Sequence, residues 1–388
     1  MVYADILSLQ APQAATFLRA GQVENISHHA ADHDDMLVIV NASLSPVQQR
    51  NLETKLQCKV IDRTALILEI FGARASTHAG RLQVELAAMM FQRSRLVRSW
   101  THLERQRGGG GFLGGPGERQ IELDRRMLMD RVVRIKAELK DVQRTRHLQR
   151  RNRSRSETPT IALVGYTNAG KSTLFNRLTG ADVLSKDTLF ATLDPTMRQT
   201  ELPSGQTIIL ADTVGFISQL PTELVEAFKS TLEEVVEADI LLHVHDASSP
   251  VLFEEATDVR AVLQDIGLAD DRLDDDVIHV MNKSDIMDGD LTDAIANQFG
   301  TVQFTSAVTG EGLDNLLATI DQHLAADSDV ITVTLPPQAG QARAWLYGRG
   351  DIQKDNFDET GTQLMSVRLR KSDIARFQRQ FTEIDFCD

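Results

Sequence analysis

The chain has 388 residues, of which 42% are apolar and 25% are charged, and this composition excludes a wholly disordered protein. Its two cysteines, Cys58 and Cys387, show no CxxC spacing, which argues against a disulfide framework or a cysteine zinc site and favours a reducing compartment. No apolar run approaches the roughly 20 residues of a membrane span. Because the start, MVYADILSLQAP, also lacks a signal-peptide pattern, we expect a cytoplasmic protein without stable membrane insertion.

The charge of the chain is unevenly distributed. The net charge of −14 argues against general affinity for nucleic acids, and no DNA partner is expected. However, residues 93–155 contain the basic stretches RSRLVRSW, LERQRGGGG and RVVRIKAELKDVQRTRHLQRRNRSRSE. Two interpretations stay open for this block: a solvated helix face, or a surface that contacts a phosphate backbone.

Composition and periodicity divide the chain into four predicted parts. These are a small α/β domain (1–78), a helical hairpin with a glycine-rich tip loop and a basic linker (79–156), a larger α/β domain (157–325) and a small C-terminal α/β domain (326–388). In the first part, the short apolar runs MLVIVN and CKVID alternate with helical stretches. Ser45 followed by Pro46 indicates a helix start, because proline at the first helical position loses no hydrogen bond.

From about residue 79 the apolar period becomes helical. The apolar residues recur at spacings of three and four in two series, namely Leu82, Leu86, Met89, Leu96, Trp100 and Leu103, then Leu128, Val132, Ile135, Leu139 and Val142. The stretch GGGGFLGGPGE separates the two series. This pattern predicts an antiparallel helical hairpin about 40 Å long, with a glycine-rich tip that we expect to be mobile until it meets a partner.

The stretch GYTNAGKSTLFNRLTG follows the predicted strand TIALVG and opens a predicted helix. A glycine-rich loop in this context points backbone N–H groups at a phosphate, and the helix N-terminus adds its positive dipole end. Lys171 is expected to reach the β- and γ-phosphates, and the Ser172 hydroxyl to bind Mg²⁺. The predicted phosphate-binding residues are Gly165, Tyr166, Thr167, Asn168, Ala169, Gly170, Lys171, Ser172 and Thr173.

Two further stretches complete the predicted phosphate site. In ADTVG, Asp212 follows a strand and is expected to hold Mg²⁺ through water, while the Gly215 N–H meets the γ-phosphate. In DTLFATLDPTMR, Thr192 is interpreted as a switch residue that binds Mg²⁺ when a γ-phosphate is present; the alternative is an ordinary loop threonine. We predict catalytic roles for Lys171, Thr192 and Gly215. The predicted nucleotide contacts here are Phe190, Ala191, Thr192, Leu193, Asp194, Asp212, Thr213, Val214 and Gly215.

The stretches VIHVMNKSD and FTSAVTG identify the base as guanine. The Asp285 carboxylate accepts from the N1–H and the N2 amino group of guanine, and adenine offers no such donors. Lys283 covers the base, Asn282 ties neighbouring loops together, and the Ala307 N–H donates to guanine O6. The predicted base-binding residues are Asn282, Lys283, Ser284, Asp285, Ser306, Ala307 and Val308.

These elements predict an α/β fold in which the third part is a P-loop GTPase domain with a mixed, mostly parallel sheet. MRQTEL and GQTIILAD flank PSG, which predicts one antiparallel hairpin in that sheet. The residue after DTVG is Phe216, where Ras-like enzymes carry the glutamine that orients the attacking water. A phenyl ring makes no such hydrogen bond, so we expect GTP hydrolysis to GDP and phosphate to be slow without a partner.

The motifs GYTNAGKSTLFNRLTG, DTLFATLDP, ADTVGFI and NKSD, together with the upstream GGPGERQIELDRR, resemble the HflX family of ribosome-associated GTPases. LSPVQQRNLETKLQCKVIDRT and SWTHLERQRGGG extend the resemblance over about residues 1–325, with a departure at Gly114, where the family pattern has arginine. The resemblance implies a cytoplasmic, monomeric GTPase that binds the large ribosomal subunit and its RNA. It further implies that the GTP-bound form splits stalled or stress-arrested ribosomes and that hydrolysis releases it.

Three alternatives stay open: a signalling GTPase that acts on a protein partner, a ribosome-assembly factor without meaningful hydrolysis, and, less favoured, an RNA-remodelling ATPase. The C-terminal part is less informative. VITVTLPP and QLMSVRLRK predict strands, while AGQARAWLYGRGD and SDIARFQRQF predict helices. We interpret Trp345 and Tyr347 as core aromatics rather than RNA-stacking residues, and His243 and His245 as packing residues rather than metal ligands.

Overall fold

A computed structural model provides the structure of the protein. It describes all residues except 1–2, 32–35, 107–115, 154–157, 181–191, 193–194, 218–226, 228–231, 233, 288–291, 327, 359–360 and 388. The chain forms two compact units, the first mainly residues 1–142 and the second mainly residues 143–218 and 231–388. These units do not test the four-part division, which stays a prediction.

The N-terminal region contains a two-stranded parallel sheet surrounded by helices. In chain order its elements are α1 Ala20–Ala31, β1 Leu37–Val40, α2 Pro46–Leu56, β2 Lys59–Asp62 and α3 Arg63–Arg74. The predicted start of α2 is confirmed: the Gln48 N–H donates to the Ser45 hydroxyl, and the Ser45 N–H donates to the Gln48 side chain. This capping box satisfies two backbone donors that the first helical turn leaves without partners.

The predicted hairpin helices are present as α4 His78–Gln106 and α5 Pro116–Arg153. An ion pair of 2.7 Å between Arg131 and Glu85 joins them. In the predicted apolar series, Leu82, Leu86, Val132, Ile135 and Leu139 are buried, while Met89, Leu96, Leu128 and Val142 are partly buried. The side chains of Trp100 and Leu103 and the tip loop lie outside the described residues.

A six-stranded sheet of order β4-β5-β3-β6-β7-β8 forms the larger domain. Its elements are β3 Thr160–Val164, α6 Lys171–Thr179, β4 Thr196–Glu201, β5 Thr207–Asp212, β6 Ile240–Asp246, α7 Leu252–Asp265, α8 Asp270–Asp275, β7 Val277–Asn282, a 3-10 turn Ser284–Ile286, α9 Thr292–Phe299, β8 Val302–Phe304 and α10 Leu313–Ala326. The predicted hairpin β4–β5 is antiparallel and the other pairs are parallel. The helix predicted in TELVEAFKSTLEEVVEAD lies largely outside the described residues.

The sheet buries both faces, so its central strands are mostly apolar, with the buried histidines of β6 as an exception. In β6, Ile240, Leu242 and Val244 pack on one face in a cluster that includes residues of α6 and α10. Because side chains alternate along a strand, Leu241, His243 and His245 face the opposite side. With all parallel strands pointing the same way, the loops that follow β3, β5, β6, β7 and β8 meet at one edge, where ligands bind in open α/β sheets.

The C-terminal domain is an antiparallel sheet of order β10-β11-β9-β12 with two helices. Its elements are β9 Ser328–Leu335, α11 Gly340–Arg349, β10 Asp351–Phe357, β11 Gln363–Arg370, α12 Lys371–Gln380 and β12 Asp385–Cys387. Trp345 packs against Phe377 in the core as predicted, with ring centroids 5.2 Å apart. The core prediction is wrong for Tyr347, whose side chain is 52% exposed and donates to Asp355. No helix in the described chain is long and apolar enough to cross a membrane.

Candidate functional site

The glycine-rich loop lies between β3 and α6 at the carboxyl edge of the sheet. Two of its glycines are required by close contacts and by positive φ angles. A Cβ at Gly165 (φ 146°) would lie 2.1 Å from the Val244 carbonyl oxygen, and a Cβ at Gly170 (φ 90°) would lie 2.2 Å from the Asn282 Nδ2. The loop is therefore held against both β6 and the residue that ends β7.

Lys171, the first residue of α6, carries a buried amine. Its Nζ donates to the Gly165 carbonyl at 3.0 Å and to the Tyr166 carbonyl at 2.7 Å, and an ammonium has a third proton for another acceptor. Burial lowers the pKa of Lys171 to about 8, and the charge of Asp212 opposes this change. A buried cation with a free donor, at the N-terminus of a helix, is suited to a phosphate oxygen.

Three oxygen-bearing side chains meet beside this loop. The Ser172 hydroxyl donates to Asp212 Oδ2 at 2.7 Å, the Thr192 hydroxyl donates to the same oxygen at 2.6 Å, and the two hydroxyl oxygens are 2.8 Å apart. We call Ser172, Thr192 and Asp212 the oxygen corner. Thr192 is brought there from the segment between α6 and β4, so the residue predicted to be a switch does contact the predicted magnesium ligands.

The oxygen corner fits a magnesium ion by its donor chemistry. Mg²⁺ prefers oxygen ligands at 2.0–2.1 Å in an octahedron, whose adjacent ligands are roughly 2.9 Å apart. The Asp212 Oδ1 is buried and has no hydrogen-bond partner among the described residues, and burial raises the pKa of this carboxyl against the hydrogen bonds from Thr192 and Ser172 and the charge of Lys171. Each hydroxyl can give its proton to Asp212 and keep a lone pair for the ion, which agrees with an indirect role for Asp212.

The segment after β5 is attached to the glycine-rich loop through the backbone. The Thr167 N–H donates to the Phe216 carbonyl at 2.7 Å, and the Phe216 N–H donates to the Gly165 carbonyl at 3.1 Å. A Cβ at Gly215 would lie 3.0 Å from the Lys171 Nζ, so the Gly215 backbone passes directly beside the amine. The Phe216 side chain is buried, with 5% exposure, and offers no hydrogen-bonding group.

Asn282, at the end of β7, joins three loops. Its Nδ2 donates to the Ala169 carbonyl at 2.9 Å, and its Oδ1 accepts from the Ala307 N–H at 3.0 Å. This linking function agrees with the prediction from the sequence. The geometry differs for Ala307, however, because its N–H already has Asn282 as an acceptor. A hydrogen bond from Ala307 to guanine O6 would have to share this donor.

The other base-site residues lie nearer the surface. Lys283 has a left-handed backbone (φ 64°), and its Nζ donates to Asp246 Oδ2 at 2.6 Å. Asp285 lies in the following 3-10 turn and is exposed. The ion pair fixes the aliphatic stem of Lys283 between the ends of β6 and β7, and Asp285 offers its carboxylate to solvent in the same loop.

Two contributors were missed by sequence reasoning. Asp246, at the end of β6, holds the Lys283 amine; its place at the carboxyl end of a strand was a signal that could have identified it. Arg177 donates to the carbonyls of Ala307 at 3.2 Å and Val308 at 3.0 Å, and thereby holds the last loop against α6. No pattern in the sequence indicated Arg177.

The structure brings most of the predicted residues to the same edge of the sheet. Ser284 donates through its backbone to Thr305, and Ser306 accepts the Gly310 N–H, so both support the base-site loops. Thr213 donates to the Leu163 carbonyl at 2.6 Å. The predicted contacts Phe190, Ala191, Leu193 and Asp194 lie outside the described residues, and their roles stay predictions.

Comparison with protein families covers most of the chain. Residues 1–72 match the GTP-binding GTPase N-terminal family, residues 74–153 the GTP-binding GTPase middle region, residues 160–283 the 50S ribosome-binding GTPase family, and residues 291–386 the HflX C-terminal domain. A GTPase HflX from Magnetococcus marinus is 48% identical over 387 residues, which is 98% of this chain and 88% of the relative.

The chain belongs to the HflX family. GTPase HflX from Escherichia coli is 44% identical over 96% of this chain and 87% of the relative. Among solved structures, a GTP-binding protein from Sulfolobus solfataricus in complex with GDP is 23% identical and covers 81% of this chain and 88% of that chain, with a TM-score of 0.42. The HflX assignment confirms the predicted P-loop GTPase fold and places the protein among ribosome-binding GTPases that hydrolyse GTP to GDP.

Proposed function

We propose that this HflX protein is a GTP-controlled ribosome-splitting factor. In its GTP-bound state it binds the large ribosomal subunit and separates stalled or stress-arrested ribosomes, and hydrolysis releases it. It acts in the cytoplasm as a monomer, partly bound to ribosomes. The observation that supports a switch is the oxygen corner, where Thr192 reaches Ser172 and Asp212 from a separate segment. Thr192 is therefore held by the same side chains that are proposed to face Mg²⁺.

The roles of the nucleotide-site residues follow from their contacts. Lys171 and the loop N–H groups bind the β- and γ-phosphates, and Gly215 offers its N–H to the γ-phosphate beside the Lys171 amine. Ser172 and Thr192 would hold Mg²⁺, and the ion would supply positive charge to the phosphate oxygens. Asp212 accepts the hydroxyl protons of both residues. Asp285 recognises guanine, and the Lys283 stem covers it.

Slow hydrolysis without a partner follows from the buried Phe216, because no side chain at that position orients water. We propose that the large ribosomal subunit supplies the missing group or reorders the backbone around Gly215. This proposal is supported by the two backbone hydrogen bonds between Phe216 and the glycine-rich loop. Because of these bonds, a displacement of Phe216 would also move the loop that is proposed to bind the phosphates.

The hairpin supplies a surface suited to ribosomal RNA. Helix α5 contains twelve Lys and Arg residues and six Asp and Glu residues, in a chain of net charge −14. Several of its basic side chains are exposed, namely Arg125, Arg126, Arg131, Arg134, Lys136, Lys140 and Arg144. Exposed cations bind a phosphate backbone with release of its counterions, so this binding weakens as salt rises.

Hydrolysis of GTP, measured alone and with purified large subunits at two salt concentrations, tests the proposal. We expect stimulation of about a hundredfold or more, compared with the roughly 10³–10⁵-fold that partner-supplied groups give other GTPases, and we expect it to fade at high salt. Sedimentation of 70S ribosomes then shows whether the protein splits them with GTP or a non-hydrolysable analogue but not with GDP.

The double variant Arg134→Glu/Lys140→Glu tests the hairpin surface. It is expected to lower affinity for the large subunit and to reduce the salt dependence by about one unit of slope per lost phosphate contact. Arg379→Glu, an exposed arginine in α12, is the matched control. Subunit binding without splitting would favour a ribosome-assembly factor, and no dependence on ribosomes would favour a signalling GTPase.

A further inference from the structure

Three histidines meet on the face of the six-stranded sheet opposite α6. His243 and His245 lie on β6, and His279 lies opposite His243 in the parallel pairing of β6 with β7. From the sequence, the first two were interpreted as packing residues rather than metal ligands, and the third was not singled out. One ring nitrogen from each histidine lies within 4.8 Å of the other two. We call these three residues the histidine cluster.

The geometry of the cluster is close to that of a metal site. The His245 Nε2 and His279 Nδ1 share a hydrogen bond of 3.0 Å, and the rings of His243 and His245 have centroids 3.9 Å apart. In a tetrahedral zinc site with Zn–N distances of 2.0–2.1 Å, the ligand nitrogens are roughly 3.3 Å apart. The hydrogen-bonded pair is therefore within about 0.3 Å of this separation, and a metal ion would require the shared proton to move to another ring nitrogen. The three nitrogens lie within 4.8 Å of one another, so the widest separation would have to close by up to about 1.5 Å.

His243 provides an independent sign that a ligand belongs here. Its side chain is 4% exposed, and its Nε2 is buried with no hydrogen-bond partner among the described residues. A buried nitrogen without a partner destabilises the folded protein, because it loses its hydrogen bond to water. A metal ion would use this lone pair, whereas packing alone leaves it unsatisfied.

The surroundings of the cluster permit a cation. The Phe299 ring packs against His245 and His279, with ring centroids 4.9 and 4.8 Å apart, respectively. These are contacts between rings, and Phe299 offers no hydrogen-bonding group to the imidazole nitrogens. Two cations, Lys171 and Arg260, act electrostatically on His243. The guanidinium of Arg260, on α7, pairs with Asp270 at 3.2 Å and Asp274 at 2.9 Å. These two carboxylates offset its charge.

We propose that His243, His245 and His279 form a binding site for a divalent transition-metal ion of the zinc type, separate from the magnesium site. Imidazole is a preferred ligand for Zn²⁺, and three protein ligands leave a fourth position for water. His279, which is only partly buried, gives solvent a route to the ion. The ion would fasten β6 to β7 just before Asp246 and Asn282, and it would therefore stabilise the strands that carry the base-site loops.

Zinc binding by the full-length, untagged protein tests this proposal. Excess Mg²⁺ and GDP keep the oxygen corner filled while Zn²⁺ is titrated and bound metal is counted. We expect one equivalent of Zn²⁺ to bind and to raise the melting temperature by roughly 5–10 °C at hundredfold excess over Kd. Co²⁺ in place of Zn²⁺ is expected to show the visible absorption of a four-coordinate site.

His245→Phe keeps an aromatic ring against Phe299 and removes a ligand. Loss of a residue that hydrogen-bonds to a metal ligand weakens metal binding by roughly 10–100-fold. Loss of the ligand His245 itself is expected to weaken Zn²⁺ binding by more than this. GDP affinity, measured in the same sample, shows whether the fold is intact. His279→Phe provides a second test if His245→Phe does not fold. His28→Phe, in α1, is the matched control. The proposal is overturned if zinc does not bind, or if it binds equally to the wild type and to a folded cluster variant.

Discussion

At the phosphate end of the proposed nucleotide site the charged side chains are buried, whereas at the proposed base end they lie near the surface. Lys171 is 5% and Asp212 is 1% exposed, while Asp285 is exposed and Lys283 is partly exposed. The buried residue at the base end is the neutral Asn282. Buried charges act through a low dielectric and need no reorganisation when phosphate binds. At the base end, the neutral side-chain amide of Asn282 holds the loops together. The charged groups there stay in contact with water until a base binds and excludes it.

The largest expected effect comes from removing the buried cation. Lys171→Ala is expected to lower subunit-stimulated GTP hydrolysis by about 10²–10³-fold, the loss typical for a group that stabilises developing charge. Lys283→Ala makes the same substitution at the base end, where solvent screens the charge, and we expect an effect of about tenfold or less. Single-turnover hydrolysis measures both. Equal losses in the two variants would contradict the distinction between the ends.

Base recognition is expected to give the next largest effect. Asp285→Asn removes a carboxylate that accepts two hydrogen bonds, and hydrogen bonds to charged groups contribute about 1.5–3 kcal/mol each. GTP affinity should fall by at least about 100-fold. Xanthosine triphosphate, whose C2 oxygen can accept from the new amide, should bind better than GTP. Asp293→Asn, an exposed acid of α9, is the control in competition binding, and an unchanged preference for GTP would exclude Asp285 as the base-reading residue.

The smallest expected effect is a pH dependence confined to the phosphate end. The pKa of Lys171 is lowered to about 8 by burial, so the amine is charged below pH 8 and loses its proton as pH rises. If phosphate binding needs the charged form, GTP affinity should fall by up to tenfold per pH unit above about pH 8. Lys171→Arg stays charged and should give a flat profile. An equal fall in this variant would assign the pH dependence to another group.

The sequence was sufficient for the features that depend on local pattern. The helix start at Ser45 and Pro46 and the hairpin β4–β5 follow from short-range chemistry, and both were predicted. The loop 165–170 and Asp212 were also placed correctly relative to their strands. Each of these depends on a few neighbouring residues, which is why the printed sequence was enough.

The features that were missed depend on strand register or on distant partners. His279 joins the histidine cluster only because β6 and β7 pair with His243 opposite His279, and a shift of one residue would separate them. Arg177 acts on a loop 130 residues further along the chain. Strand β10, with the polar sequence DIQKDNF, lacks the apolar alternation that identifies strands, and β12 has only three residues.

The hydrogen bond from Asn282 to Ala169 spans 113 residues, and the one from Ala307 to Asn282 spans another 25. Domains fold during synthesis. These two long-range hydrogen bonds therefore determine when, on a nascent chain, the glycine-rich loop can reach its final structure. The glycine-rich loop emerges early, but it acquires its support only after β7 and the loop at Ala307 have followed. A partly synthesised copy therefore cannot present a finished guanine pocket, and competence to bind GTP begins only near the end of the domain's synthesis.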